Sequence, residues 1–147
     1  MFWFYLLLAL LAGFGLPVQA GINAQLARSM NHPAQAAFVN FAVGTIALII
    51  YSLALRLPIP TSATLAQAPL WAWTGGLLGA FFVAAGTIIA PRLGGTLMVS
   101  VLVAGQMMVA LVLDHFGLIG YQVRPLNLWR ITGALLLLAG VMLIRKF

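Results

Sequence analysis

Gly15, Gln19 and Asn23 recur every four residues inside an otherwise apolar N-terminal run, so at helical spacing they share one face and project two amides together. Pro17 falls among them and removes one backbone hydrogen bond. A kink is expected there, with Gly13, Gly15 and Gly21 loosening the same region. An amide both donates and accepts, which suits a neutral or zwitterionic solute, although the same groups can bond a neighbouring helix instead. Asn40 begins a second stripe with Gly44, Ala47 and Tyr51 that serves either close packing or a narrow path. Farther along, Thr96 and Ser100 lie on one side, while Gln106 is about 240° around from Ser100, so the three cannot face one pocket. Gln106 is preferred as the pocket-facing group, because a hydroxyl can bond back to its own helix and an amide cannot do so as readily. The candidate substrate pocket is therefore Gln19, Asn23, Asn40 and Gln106.

Asp114 is the only carboxylate side chain and stands next to His115. It is either a relay that trades protons for a substrate or an ion-pair partner of Arg124 or Arg130. His32, beside Pro33, reads as ordinary surface. With no cysteine and two histidines, thiol nucleophiles and thiolate metal sites are excluded and a metal centre is not expected. No nucleophile and base stand together, so no enzyme activity is expected and no cofactor is implied.

The surroundings of these residues define the class. Of 147 residues, 64% are apolar and 5% charged, too few polar side chains to cover a soluble domain of this size. The seven basic residues that give the net charge of +6 sit singly or in pairs at the ends of apolar runs, which is membrane anchoring and not a nucleic-acid patch. A crossing needs roughly 20 mainly apolar residues. Runs at about 2–27, 34–56, 69–90, 94–116 and 127–146 predict five transmembrane helices in one all-α domain spanning 1–147. Trp3, Tyr5, Tyr51, Trp71, Trp73, Tyr121 and Trp129 fall near the predicted ends, where amphipathic rings mark the interface. The first run ends in Val18-Gln19-Ala20, which mimics a cleavage site, but no Lys or Arg precedes it and it is kept as a helix. Gly75, Gly79 and Gly86 on the third run, and Gly133 and Gly140 on the fifth, are read as packing faces. Between the third and fourth runs, APRLGG is read as an interfacial turn: Pro91 stops one helix, Gly94 and Gly95 reverse the chain, and Arg92 snorkels to headgroups. Arg92 is mainly a topology determinant, with anion attraction at the mouth of the path as its lesser role.

With a cytoplasmic N-terminus, the inside collects Arg56, Arg124 and Arg130 and the outside Arg28, Arg92, Arg145 and Lys146. The charge rule hardly chooses an orientation. Such balance suits copies inserted both ways, and two antiparallel copies would supply the two inverted halves that many transporters need and that this chain lacks. One fixed orientation, set by finer detail or by a partner subunit, is the other reading.

The motifs GLPVQAGINAQLAR (15–28), HPAQAAFVNFAVGTIAL (32–48), APRLGGTL (90–97), GQMMVALVLDHFG (105–117) and RITGALLLLAGVML (130–143), in this order and spacing, resemble the YdcZ family of bacterial inner-membrane exporters in the drug/metabolite transporter superfamily. The resemblance covers essentially the full chain. It implies a five-helix half-size transporter in the bacterial inner membrane, working as an antiparallel homodimer or with a sister protein, so that two copies make ten helices. It also implies a small-molecule substrate and the lipid bilayer as partners, and no nucleic acid. The four-helix small multidrug resistance proteins of that superfamily carry an essential glutamate on the first helix; here that helix has only Gln19, Asn23 and Gln25, which argues against a copied cation-for-proton mechanism. A secondary exporter of small metabolites, alternating access between two subunits, is the leading expectation. A non-transporting membrane assembly or regulatory subunit is the alternative.

Overall fold

The computed structural model describes residues 1–147. It comprises α1 (Phe2–Met30), α2 (Pro33–Ala54), a short α3 (Ser62–Ala66), α4 (Thr74–Leu93), α5 (Gly95–Phe116) and α6 (Leu128–Lys146), with 3-10 turns at Leu70–Trp73 and Leu118–Gly120 and no strand. Five helices are long and apolar enough to cross a membrane: α1, α2, α4 with its preceding 3-10 turn, α5 and α6. At 1.5 Å per residue, α2, α5 and α6 measure about 28–33 Å, matching the roughly 30 Å hydrocarbon core. At 29 residues α1 is about 43 Å long, more than a perpendicular crossing needs.

The surface confirms what solvent the chain is built for. Phe2, Leu7, Phe38, Leu48, Ile50, Leu77, Phe81, Val109 and Leu136 are all largely exposed, whereas the buried apolar residues are only Ala36, Ala37, Met98 and Ala104. In water this would be an aggregating surface; in lipid it is the solvated one.

Helix ends follow local chemistry. His32 caps α2, its Nδ1 accepting from the Ala34 N–H at 3.1 Å, and Pro33 at the first helical position has no N–H to satisfy. The other end of α2 closes with Leu57 N–H donating to the Ser52 carbonyl and Arg56 N–H to the Leu53 carbonyl, both at 3.0 Å, around Arg56 at φ 53°. Such a reversed closure normally falls to glycine. Thr61 and Asn127 cap α3 and α6.

Two expectations change. The first helix runs to Met30, beyond 27, with Pro17 inside it as expected. Pro91 does not stop the third span: α4 continues to Leu93, and the missing Pro91 N–H costs it only the bond to the Thr87 carbonyl. The break belongs to Gly94 alone, at φ 76° and ψ 159°, backbone space essentially reserved for glycine. Gly95 is already helical.

The chain divides into two compact units, Val18–Arg92 and Met1–Pro17 with Leu93–Phe147. In the former, Asn23, Ala36, Ala37, Gly86 and Thr87 are buried. A Cβ placed on Gly79 would lie 3.5 Å from the Phe41 ring, so α2 and α4 meet at that level. In the latter, α5 packs along α6, and Met98 and Ala104 are buried. A Cβ at Gly75, Gly86, Gly133 or Gly140 would meet nothing within 4 Å.

Candidate functional site

In the Val18–Arg92 unit, α1 and α2 bring two of the expected amides together. Gln19 Nε2 donates to Asn40 Oδ1 at 3.2 Å. One turn along α1, Asn23 is 3% exposed. The bond uses one N–H and one lone pair, whereas each amide offers two donors and a doubly accepting oxygen. The pair therefore retains acceptors on Gln19 and donors on Asn40 for a third group. Asn40 is half-buried and Gln19 exposed, which leaves the pair reachable from outside the chain. Gln106 belongs to the other unit and is exposed on α5. Thr87 and Ser100 behave as hydroxyls in apolar helices do, donating back to the Val83 and Thr96 carbonyls at 2.8 Å each.

Asp114, at the end of α5, pairs with Arg130 near the start of α6. The same connection is tied at three further points: Arg124 N–H donates to the Asp114 carbonyl at 2.7 Å, Arg130 Nη1 to the Arg124 carbonyl at 2.5 Å, and Leu126 N–H to His115 Nδ1 at 3.1 Å. Of the two partners expected for Asp114, the side chain takes Arg130 and the backbone takes Arg124. The carboxylate is thus engaged in holding the α5–α6 connection.

A second polar feature lies at the C-terminal ends of α1 and α4. Ala24, Ala27, Arg28 and Asn31 occupy positions i, i+3, i+4 and i+7, one face of α1 running into its terminal turn. Thr87, Pro91, Ile88 and Arg92 form two i, i+4 pairs on α4. Together with Pro33 they enclose an open cleft of about 470 Å³. Sequence reasoning placed Arg28 and Arg92 on the same side of the membrane but treated each as a separate anchor. No local pattern links two arginines so far apart in the chain.

Compared with known proteins, residues 4–143 match the family described as "Putative inner membrane exporter, YdcZ". The chain is 33% identical over 137 residues to the "Inner membrane protein YdcZ" of Escherichia coli (strain K12), covering 92% of this chain and 90% of that protein. No solved structure matches.

Proposed function

Because the chain belongs to the YdcZ family of inner-membrane exporters, we propose that it is a secondary transporter moving small metabolites outward by alternating access at a site between two antiparallel copies. The observation that carries the site assignment is the Gln19–Asn40 hydrogen bond, one turn from buried Asn23. Three amides at this level offer donors and acceptors without a fixed charge, which fits a neutral or zwitterionic solute better than a lone cation. Pro17, between Gly15 and Gln19 inside α1, has no N–H for the Gly13 carbonyl, and this lost bond is the point at which α1 flexes as the site opens to either side.

The second copy is argued from what one chain leaves uncovered. Gln106 is exposed on a span where an amide facing lipid is costly, and Gly133 and Gly140 line α6 with nothing against them. A partner copy meeting α5 and α6 would cover both. The near balance of Arg28, Arg92, Arg145 and Lys146 against Arg56, Arg124 and Arg130 allows that copy to insert in the opposite sense. A reporter fused to the C-terminus is expected on both sides of the membrane; finding it on one side only removes dual insertion and leaves a sister protein as the partner.

The test of the site is a solute screen in proteoliposomes, with and without a proton gradient, comparing the native chain with Gln19→Ala and Asn23→Ala. Transport of at least one solute by the native chain and its loss in both variants is expected. If no solute moves, the rival reading of an assembly subunit gains, since the Gln19–Asn40 bond also serves as glue between helices. Normal transport by both variants would instead move the site elsewhere.

A further inference from the structure

The cleft at the ends of α1 and α4 is lined by two arginines, Arg28 and Arg92, and the chain provides no carboxylate side chain for either. Its single acidic side chain, Asp114, is committed to Arg130. Arg28 and Arg92 each lie in the last turn of a helix, where the carbonyl ends carry roughly −0.5 elementary charge per helix. Two helix ends therefore offset about one of the two positive charges. Roughly one positive charge remains in a space large enough for a small ligand, whose pockets run about 300–1,000 Å³. We infer that this cleft is a binding site for a singly charged oxyanion, clamped between Arg28 and Arg92.

The donor set agrees with that assignment. A guanidinium presents a planar fork matching two oxygens of a carboxylate or phosphate group, and two forks from different helices can hold one such group from two directions. Asn31, which also lines the cleft just past the end of α1, adds an amide to the donor set. The remaining walls suit a compact headgroup. Ala24 and Ala27 leave room, while Pro33 and Pro91 place no backbone N–H there that needs a partner.

The site is distinct from the amide pair. Gln19 and Arg28 are nine residues apart on α1, about 13 Å along the axis and on opposite faces. An oxyanion held here sits at the membrane interface, and its source is either an anionic lipid phosphodiester or a soluble oxyanion.

The experiment uses the full chain purified in a neutral detergent, with thermal unfolding and native mass spectrometry as readouts. Phosphatidylglycerol, phosphatidylcholine and inorganic phosphate are the probes. The expected result is retention and thermal protection by phosphatidylglycerol or by phosphate, with phosphatidylcholine weaker, and a loss of at least tenfold in apparent affinity in Arg28→Gln and in Arg92→Gln. Protection by phosphatidylglycerol alone assigns the site to lipid, and protection by phosphate assigns it to a soluble anion. Arg28→Lys and Arg92→Lys keep the charge without the fork and are expected to bind at an intermediate level, so a folding failure in one glutamine variant does not end the test. Arg56→Gln, outside the cleft, should bind as the native chain does. The inference is overturned if no probe protects the native chain, or if Arg56→Gln loses binding as fully as the cleft variants.

Discussion

Asp114 and Arg130 form an ion pair that joins the end of α5 to the start of α6, with side chains 21% and 26% exposed respectively. Because the Asp114 carbonyl also receives the Arg124 N–H, one residue secures the connection by side chain and by backbone. Asp114→Asn should lower stability by about 1.5–3 kcal/mol, the usual value of a hydrogen bond to a charged group. Thermal unfolding in detergent measures it. Exchanging the two residues, Asp114→Arg with Arg130→Asp, is expected to recover part of the loss, whereas a proton relay at Asp114 would abolish pH-dependent transport in the exchanged chain.

That pair also shows where sequence reasoning reaches its limit. Uninterrupted apolar length against bilayer thickness is a one-dimensional property, so the five spans were legible within a few residues. Asn127 falls inside the run at 127–146, whereas the structure leaves it just outside α6 as the cap, its side-chain oxygen accepting from the Arg130 N–H. Choosing between Arg124 and Arg130 was not legible, because both lie within reach of Asp114 and the path of the connection decides which atom each offers. His32 was read as surface although it caps α2, since a ring nitrogen is an uncommon substitute for a short oxygen side chain. The Arg28–Arg92 cleft depends on how α1 and α4 lie together, which no spacing along the chain encodes.

Gly94 and Gly95 look equivalent in sequence and are not. Gly94 stands at φ 76° and ψ 159°, so Gly94→Ala should cost about 1–3 kcal/mol of backbone strain. Gly95 opens α5 with free space around its missing Cβ, so Gly95→Ala should be neutral or stabilising by up to about 1 kcal/mol. Unfolding midpoints of the two variants, measured side by side, are expected to move apart. Equal shifts would mean that the break between α4 and α5 is shared by both residues.

Gly117 is constrained twice. At φ 63° it terminates α5 in the left-handed region, and a Cβ there would approach Val123 Cγ2 at 2.6 Å. Gly117→Ala should cost more than the roughly 1–2 kcal/mol of left-handed backbone alone, because Val123 must also move. Gly117→Ala in a Val123→Ala background separates the two contributions. The second substitution is expected to return the excess over the backbone value, and a loss unchanged in that background would assign the whole effect to the backbone.

The Gln19–Asn40 bond distinguishes transport from packing if stability and flux are measured on the same variants. Interhelical polar pairs in membranes couple by about 0.6 kcal/mol on average and about 1.7 at most, because the separated helices find other partners. A double-mutant cycle of Gln19→Ala and Asn40→Ala on unfolding should therefore give a coupling in that range under either reading. Flux separates them. If the amides hold the solute, each single variant should lose at least about tenfold in initial transport rate, an effect of about 1.4 kcal/mol on the barrier that exceeds the average stability coupling. Asn23→Ala should do the same, since its amide lies one turn away on the same face of α1. Should the variants lose stability and keep their flux, Gln19 and Asn40 are glue between α1 and α2, and the path for solute runs along another face.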